Sequence, residues 1–231
     1  VGGRREEILD AALAIADERG LDGVSMRAVA ERVGVTPMAL YRHVGGKAEL
    51  LDAMAGHLLS ALLPPDDGKD RQGDQQGAQR WDERLAALAR GFRAMVRRHP
   101  WAAPLLFSRP AVTPDAVRAV DVIFTALIEA GVPDREVPRL ERLVSTFVIG
   151  FAASEVSGRF AGGSLDPRGR RGRLPEGELP AHARLKPWLH LPADLTTEFE
   201  ADLDDVLRLI EAAARPRTDG ESGSSTPQSS A

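Results

Sequence analysis

Residues 24–54 read VSMRAVAERVGVTPMALYRHVGGKAELLDAM, and the order of caps and breaks in this stretch decides the fold. Ser25 stands where a hydroxyl can accept a free backbone N–H, at the start of a helix predicted over 26–33. Ala28 occupies the third helical position, so the reciprocal carboxylate of a capping box is missing. Gly34 breaks this helix, and Val35 beside it suits burial in the turn. Thr36-Pro37 then supplies a cap and a first helical residue, where proline loses no needed hydrogen bond. A short helix is predicted over about 37–43, ended by Gly45-Gly46, with Leu40 and Val44 facing inwards. Ala30 and Ala39 are small enough to let the two short helices cross closely. The pattern is that of a helix-turn-helix whose second helix keeps one side free to enter a major groove.

Charge supports this reading locally and not globally. The 231-residue chain carries a formal net charge of −4, and residues 1–60 hold 9 acidic side chains against 7 basic ones. Between residues 24 and 47, however, Arg27, Arg32, Arg42 and Lys47 are opposed only by Glu31, which gives the sign needed against phosphates. Arg32 reads better as a solvated surface residue than as a nucleic-acid ligand. His43 suits either a phosphate or the C-terminal carbonyls of its own helix.

Working outward, Ile8, Ala12 and Ile15 recur at helical spacing over 4–19, and Gly20 is placed to stop that helix in a left-handed conformation. After the short helices, Lys47 opens a further one with Leu50, Leu51, Met54 and Leu58 on one face. Residues 64–79 are polar and rich in Gly and Pro and read as a flexible linker. Helices are then predicted over 80–98, 113–130, 134–157 and 194–214, with a short apolar piece from Trp101 to Phe107. The stretch 161–192 is a long connection of the kind that is either a functional cover or unstructured, and residues from 215 onward read as a disordered tail. The expected class is all-α: a helix-turn-helix domain over 1–46, a connecting helix over 47–63, the linker, and a helical domain over 80–214.

The run from Val24 to Met54 resembles the N-terminal signature of the TetR (tetracycline-repressor) family, with Ala39-Leu40-Tyr41 followed by His43, then Lys47 and Leu50-Leu51 as its marks. The resemblance implies a ligand-responsive transcriptional regulator, most often a repressor, that binds a palindromic operator as a homodimer. It implies phosphate contacts from Tyr41 and Lys47 and a base or phosphate contact from Arg27. Thr36, Pro37, Met38, Ala39, Arg42 and His43 line the leading or exposed part of the recognition helix. Arg42 suits a bidentate contact to guanine, and Met38 or Ala39 a thymine methyl. An activator on the same fold is compatible with the sequence.

The second domain has two expected tasks. Wide apolar stripes on 134–157 and 194–214 stand where the family's eighth and last helices pair with their copies, so Leu140, Val144, Val148, Leu203, Leu207 and Ile210 are the expected dimer contacts, with Gly150 allowing close approach. Both stripes would also suit a monomer core. Phe92, Met95, His99, Trp101, Leu105, Phe107, Phe124, Phe147 and Phe151 are the expected lining of a pocket for a small apolar or aromatic effector, with Trp188, Ser108, Ser154 and Glu155 as further candidates. The stretch from His99 to about Gly158 is also similar to the C-terminal domain of the tetracycline repressors. Leu105 replaces the metal-ligating His before the Arg-Pro pair, which argues against a metal–tetracycline chelate; no metal and no cofactor is expected.

Other classes fare poorly. The chain has no cysteine, so disulfides and thiolate metal sites are excluded. The five histidines have no metal-like spacing, the Glu-x-x-His pairs of di-iron bundles are missing, and Gly162-Gly163 lies in a polar loop with no preceding strand. An enzyme is therefore not expected. Nor does any apolar run approach the ~18 residues of a membrane span. The absence of a secretory segment leads to the expectation of a cytoplasmic protein. A helical dimer that binds protein is the remaining rival.

Overall fold

A computed structural model describes residues 3–63, 79–109, 111–159, 179–189 and 191–215. Most of the expected linker, covering loop and tail (64–78, 160–178 and 216–231) therefore lies outside the described residues. Among the described residues all regular structure is helical: α1 Arg4–Gly23, α2 Met26–Val33, α3 Pro37–Val44, α4 Lys47–Ser60, α5 Trp81–Arg98, α6 Ala102–Ser108, α7 Pro114–Glu129, α8 Val137–Val156, α9 Pro180–Leu189 and α10 Leu195–Ala214.

Side-chain caps set the helix boundaries, among them the two read from sequence at Ser25 and Thr36. Ser25 Oγ accepts from the Ala28 N–H at 3.1 Å, Thr36 Oγ1 from Ala39 at 3.2 Å, and Thr113 Oγ1 from Ala116 at 3.2 Å. Gly20 interrupts α1 with φ 70°, so the regular part of that helix ends where the sequence places its stop. Gly34, with φ 74° and ψ 33°, occupies the left-handed conformation that closes α2 and turns the chain into α3.

One core runs through both halves. Ile8, Ala12 and Ile15 of α1 meet Val29 and Ala30 of α2, Leu40 of α3, and Leu50 and Met54 of α4, all at most 1% exposed. The larger half is built on α5, α7, α8 and α10, with Leu85, Leu127, Leu140, Phe199, Leu203 and Ile210 inside. Burying each such side chain stabilises the fold by about 1.5–3 kcal/mol. Helix α4 joins the halves, since it packs on α1 and α3 and also on α6 and α7.

One expectation needs correction. Residues 180–189 form α9 inside the stretch expected to be an irregular connection. Pro187 lies within this helix. The apolar stripes of α8 and α10 fill the protomer itself: Leu140, Val144, Val148, Leu203 and Ile210 are at most 6% exposed. Leu207, the sixth expected dimer contact, is half-buried. The outward faces of these helices instead carry Leu143 (36% exposed) and Leu209 (44%).

Candidate DNA-binding face and ligand cavity

The short helix α3 is held from behind and bare in front. Leu40 and Val44 anchor it in the core, while Met38 is 68% exposed and Tyr41 47% exposed. Thr36, Pro37, Arg42 and His43 are also exposed, and Ala39 is half-buried at the crossing with α2. Lys47 is exposed at the first residue of α4, and Arg27 near the start of α2. All nine positions singled out in the sequence thus fall on the first turns of α2 and α4 or along α3. Arg32 is engaged elsewhere: its guanidinium grips both Glu18 oxygens, at 2.6 and 2.8 Å, and ties α2 to α1. That hydrogen bond also holds the Glu18 carboxyl below its ordinary pKa. Arg27, Arg42 and Lys47 form no ion pair with any described residue, so their charge remains available to an outside anion.

In the larger half, five helices enclose a cavity of about 240 Å³. From α4 come Asp52, Ala55 and Leu59; from α5, Leu85, Leu88, Ala89 and Phe92; from α6, Leu106, followed by Arg109. Helix α7 adds Ala116, Ala119, Val120 and Ile123, and α8 adds Glu141, Val144, Ser145, Val148 and Ile149. The size and the apolar walls with a few polar groups suit a small ligand.

Of the nine side chains expected to line a pocket, Phe92 alone borders this cavity. Trp101 and His99 are turned towards α1, where the indole N–H donates to Asp17 Oδ1 at 2.6 Å and His99 Nδ1 lies 2.6 Å from the same oxygen. Phe107 is 70% exposed and Leu105 points into the core beside the cavity-lining Leu106. Met95 and Phe124 pack half-buried against the core. Phe147 stacks on Phe199 at 5.8 Å between ring centres, and Phe151 meets Phe199 edge-on at 5.1 Å. Arg93 lies over the Phe199 ring at 4.8 Å and is bound by Glu155 through two bonds of 2.7 and 2.8 Å. That pairing takes up Glu155, a candidate polar contact, and lowers its pKa. Trp188, on α9, is 64% exposed.

Sequence reasoning missed Asp52, Arg109, Glu141 and Ser145. Positions 141, 144, 145, 148 and 149 recur at helical spacing, so the one available signal was a Glu and a Ser on an otherwise apolar stripe.

Residues 8–54 match the family model described as bacterial regulatory proteins, tetR family, and residues 73–210 match the tetracyclin repressor-like C-terminal domain. The chain belongs to the tetR family. The HTH-type transcriptional repressor DrrR1 of Streptomyces coeruleorubidus is 36% identical over 151 residues, which cover 65% of this chain and 53% of that protein. An HTH-type transcriptional regulator of Saccharopolyspora erythraea is 29% identical over 152 residues, 65% of this chain and 60% of that protein. The chain thus spans somewhat over half the length of these curated relatives. Among solved structures, ligand-free ActR from Streptomyces coelicolor superposes with a TM-score of 0.74 at 28% identity, covering 93% of this chain and 97% of ActR. ActR in complex with actinorhodin gives a TM-score of 0.72 at 26% identity, covering 93% and 99%. These tetR-family relatives are transcriptional regulators. No described helix is long and apolar enough to cross a membrane.

Proposed function

We propose that this chain is a ligand-responsive repressor that binds a palindromic operator as a homodimer and is released by a small, largely apolar or aromatic effector. The observation that carries the reading is the double placement of α4. It packs on α1 and α3 behind the DNA-facing edge, and its Asp52, Ala55 and Leu59 line the cavity. An occupant that displaces α4 therefore displaces α3. The name of DrrR1 supports repression, and the ActR–actinorhodin complex supports effector binding.

The dimer brings two α3 helices about one DNA turn (~34–36 Å) apart on successive half-sites. Leu143 of α8 and Leu209 of α10 supply outward apolar contacts, and a Cβ added at Gly150 would meet nothing within 4 Å, which leaves room for a second copy. Tyr41 and Lys47 hold the phosphates, Arg27 a phosphate or base, and Arg42 reads a base edge. Effector binding favours the conformer whose half-site spacing fits DNA poorly, and a coupling of ~1–3 kcal/mol is enough for useful control.

The test is binding of the purified protein to the DNA flanking its own gene, followed by fluorescence anisotropy. Neutralising about six phosphates makes affinity fall by roughly a thousandfold between 50 and 200 mM salt, through counterion release. Aromatic compounds that fit the cavity should then dissociate the complex. Binding insensitive to salt would favour a protein-binding module, and a complex that no cavity ligand weakens would remove the sensor role.

A further inference from the structure

Four polar side chains interrupt the apolar cavity wall: Asp52, Arg109, Glu141 and Ser145. The first two satisfy each other. Arg109 is ion-paired with Asp52 and also donates to the Ala48 carbonyl oxygen at 3.0 Å. Both bonds use Nη1 and hold the guanidinium against α4, with Asp52 balancing its charge. Glu141 is placed differently. Its Oε1 accepts from the Ser145 hydroxyl at 2.6 Å, one turn further along α8, and no cation among the described residues pairs with it. Arg142, its neighbour in sequence, lies on the exposed face of the same helix. The cavity thus keeps one uncompensated negative charge.

An ionised carboxylate has about four acceptor sites, and the Ser145 hydroxyl fills one. Charge held against apolar walls is costly unless a cation and hydrogen bonds meet it, and a charge-assisted bond is roughly twice as strong as a neutral one. We infer that Glu141, oriented by Ser145, is the subsite for a protonated amine on an otherwise apolar effector. The ligand class is then a ring system carrying an ammonium group. A carboxylic acid fits less well, because Asp52 already balances the Arg109 charge and Glu141 repels an anion. The inference rests on the cavity being the effector chamber.

Three probes of one skeleton test it by calorimetry on the full chain at neutral pH: 1-naphthylmethylamine, 1-naphthylmethanol and 1-naphthoic acid. The amine should bind the parent on the order of tenfold more tightly than the alcohol, and the acid most weakly. Glu141→Gln should remove the amine's advantage while the alcohol still binds within a few-fold of its affinity for the parent, which also shows that the variant's cavity is intact. Equal binding of amine and alcohol to the parent overturns the subsite but not the chamber. So does an amine preference that survives Glu141→Gln, or a preference for the acid. If none of the three binds at millimolar concentration, the chamber itself fails and the subsite with it.

Discussion

Gly56 of α4 faces Thr113 at the start of α7 so closely that a Cβ on Gly56 would overlap Thr113 Oγ1 and stand 3.2 Å from Thr113 Cβ. The same oxygen caps α7 by accepting from Ala116. An alanine at 56 gains about 1 kcal/mol of helix propensity. It must also push α4 away from α7 or turn the capping hydroxyl aside, and overpacking and cap loss each cost about 1 kcal/mol or more. Gly56→Ala should therefore destabilise the protein by about 1–3 kcal/mol in urea unfolding. Adding Thr113→Ala should recover part of that loss by removing the overlap. A Gly56→Ala protein more stable than its parent would show that the contact is not tight.

Arg93 and Glu155 form the best-buried ion pair among the described residues, with side chains 7% and 12% exposed. The Arg93 guanidinium holds the Glu155 carboxyl below the ordinary carboxylate range. As pH falls through that interval, the unfolded chain takes up the proton first, so stability is present above the unfolded pKa and is lost as pH drops through the folded one. Glu155→Gln should cost about 1–3 kcal/mol at neutral pH, because Arg93 loses its counter-charge beneath Phe151 and Phe199. The difference between parent and variant should then narrow below pH 4. A difference that stays constant down to pH 3 would mean that the pair does not titrate with folding.

The legible and illegible parts of this chain divide by physics. Ser25, Gly34, Thr36 and Pro37 act on the backbone within four residues of themselves, so the helix-turn-helix and its exposed edge can be read locally. The cavity cannot. It lies where Ala55, Ala89, Ala116 and Ala119, on three helices, leave space together, and a void has no local signature. Aromatic residues are poor markers of it because large rings fill space: Phe151 and Phe199 lie against Arg93 and Phe147 packs on both rings, instead of opening a chamber. Likewise, a wide apolar stripe does not say which chain buries it.

At the DNA-facing edge, phosphate and base contacts should separate by specificity. Tyr41→Phe and Lys47→Ala should weaken binding to operator and to random DNA alike, and Lys47→Ala should lower the salt slope by about one. Arg42→Ala should cost about 1–3 kcal/mol on the operator and also relax the preference at one base pair. Competition between operator variants measures both effects. Operator affinity unchanged in all three variants would mean that α3 does not enter the groove.

Burial on α8 separates folding from assembly three residues apart. Leu140 is fully buried in the protomer, whereas Leu143 is 36% exposed and Leu209 of α10 is 44% exposed. Leu140→Ala should lose about 2–5 kcal/mol of stability, as cavity-forming substitutions do, while the folded fraction keeps its oligomeric state. Leu143→Glu and Leu209→Glu each place a charge on the outward face, which an apolar interface must desolvate without a partner. Sedimentation velocity should then report monomers with native helix content. Operator affinity should drop by a hundredfold or more, roughly the advantage that linking two half-site contacts confers. Dimers that persist unchanged in both glutamate variants would place the two-fold contact on another face.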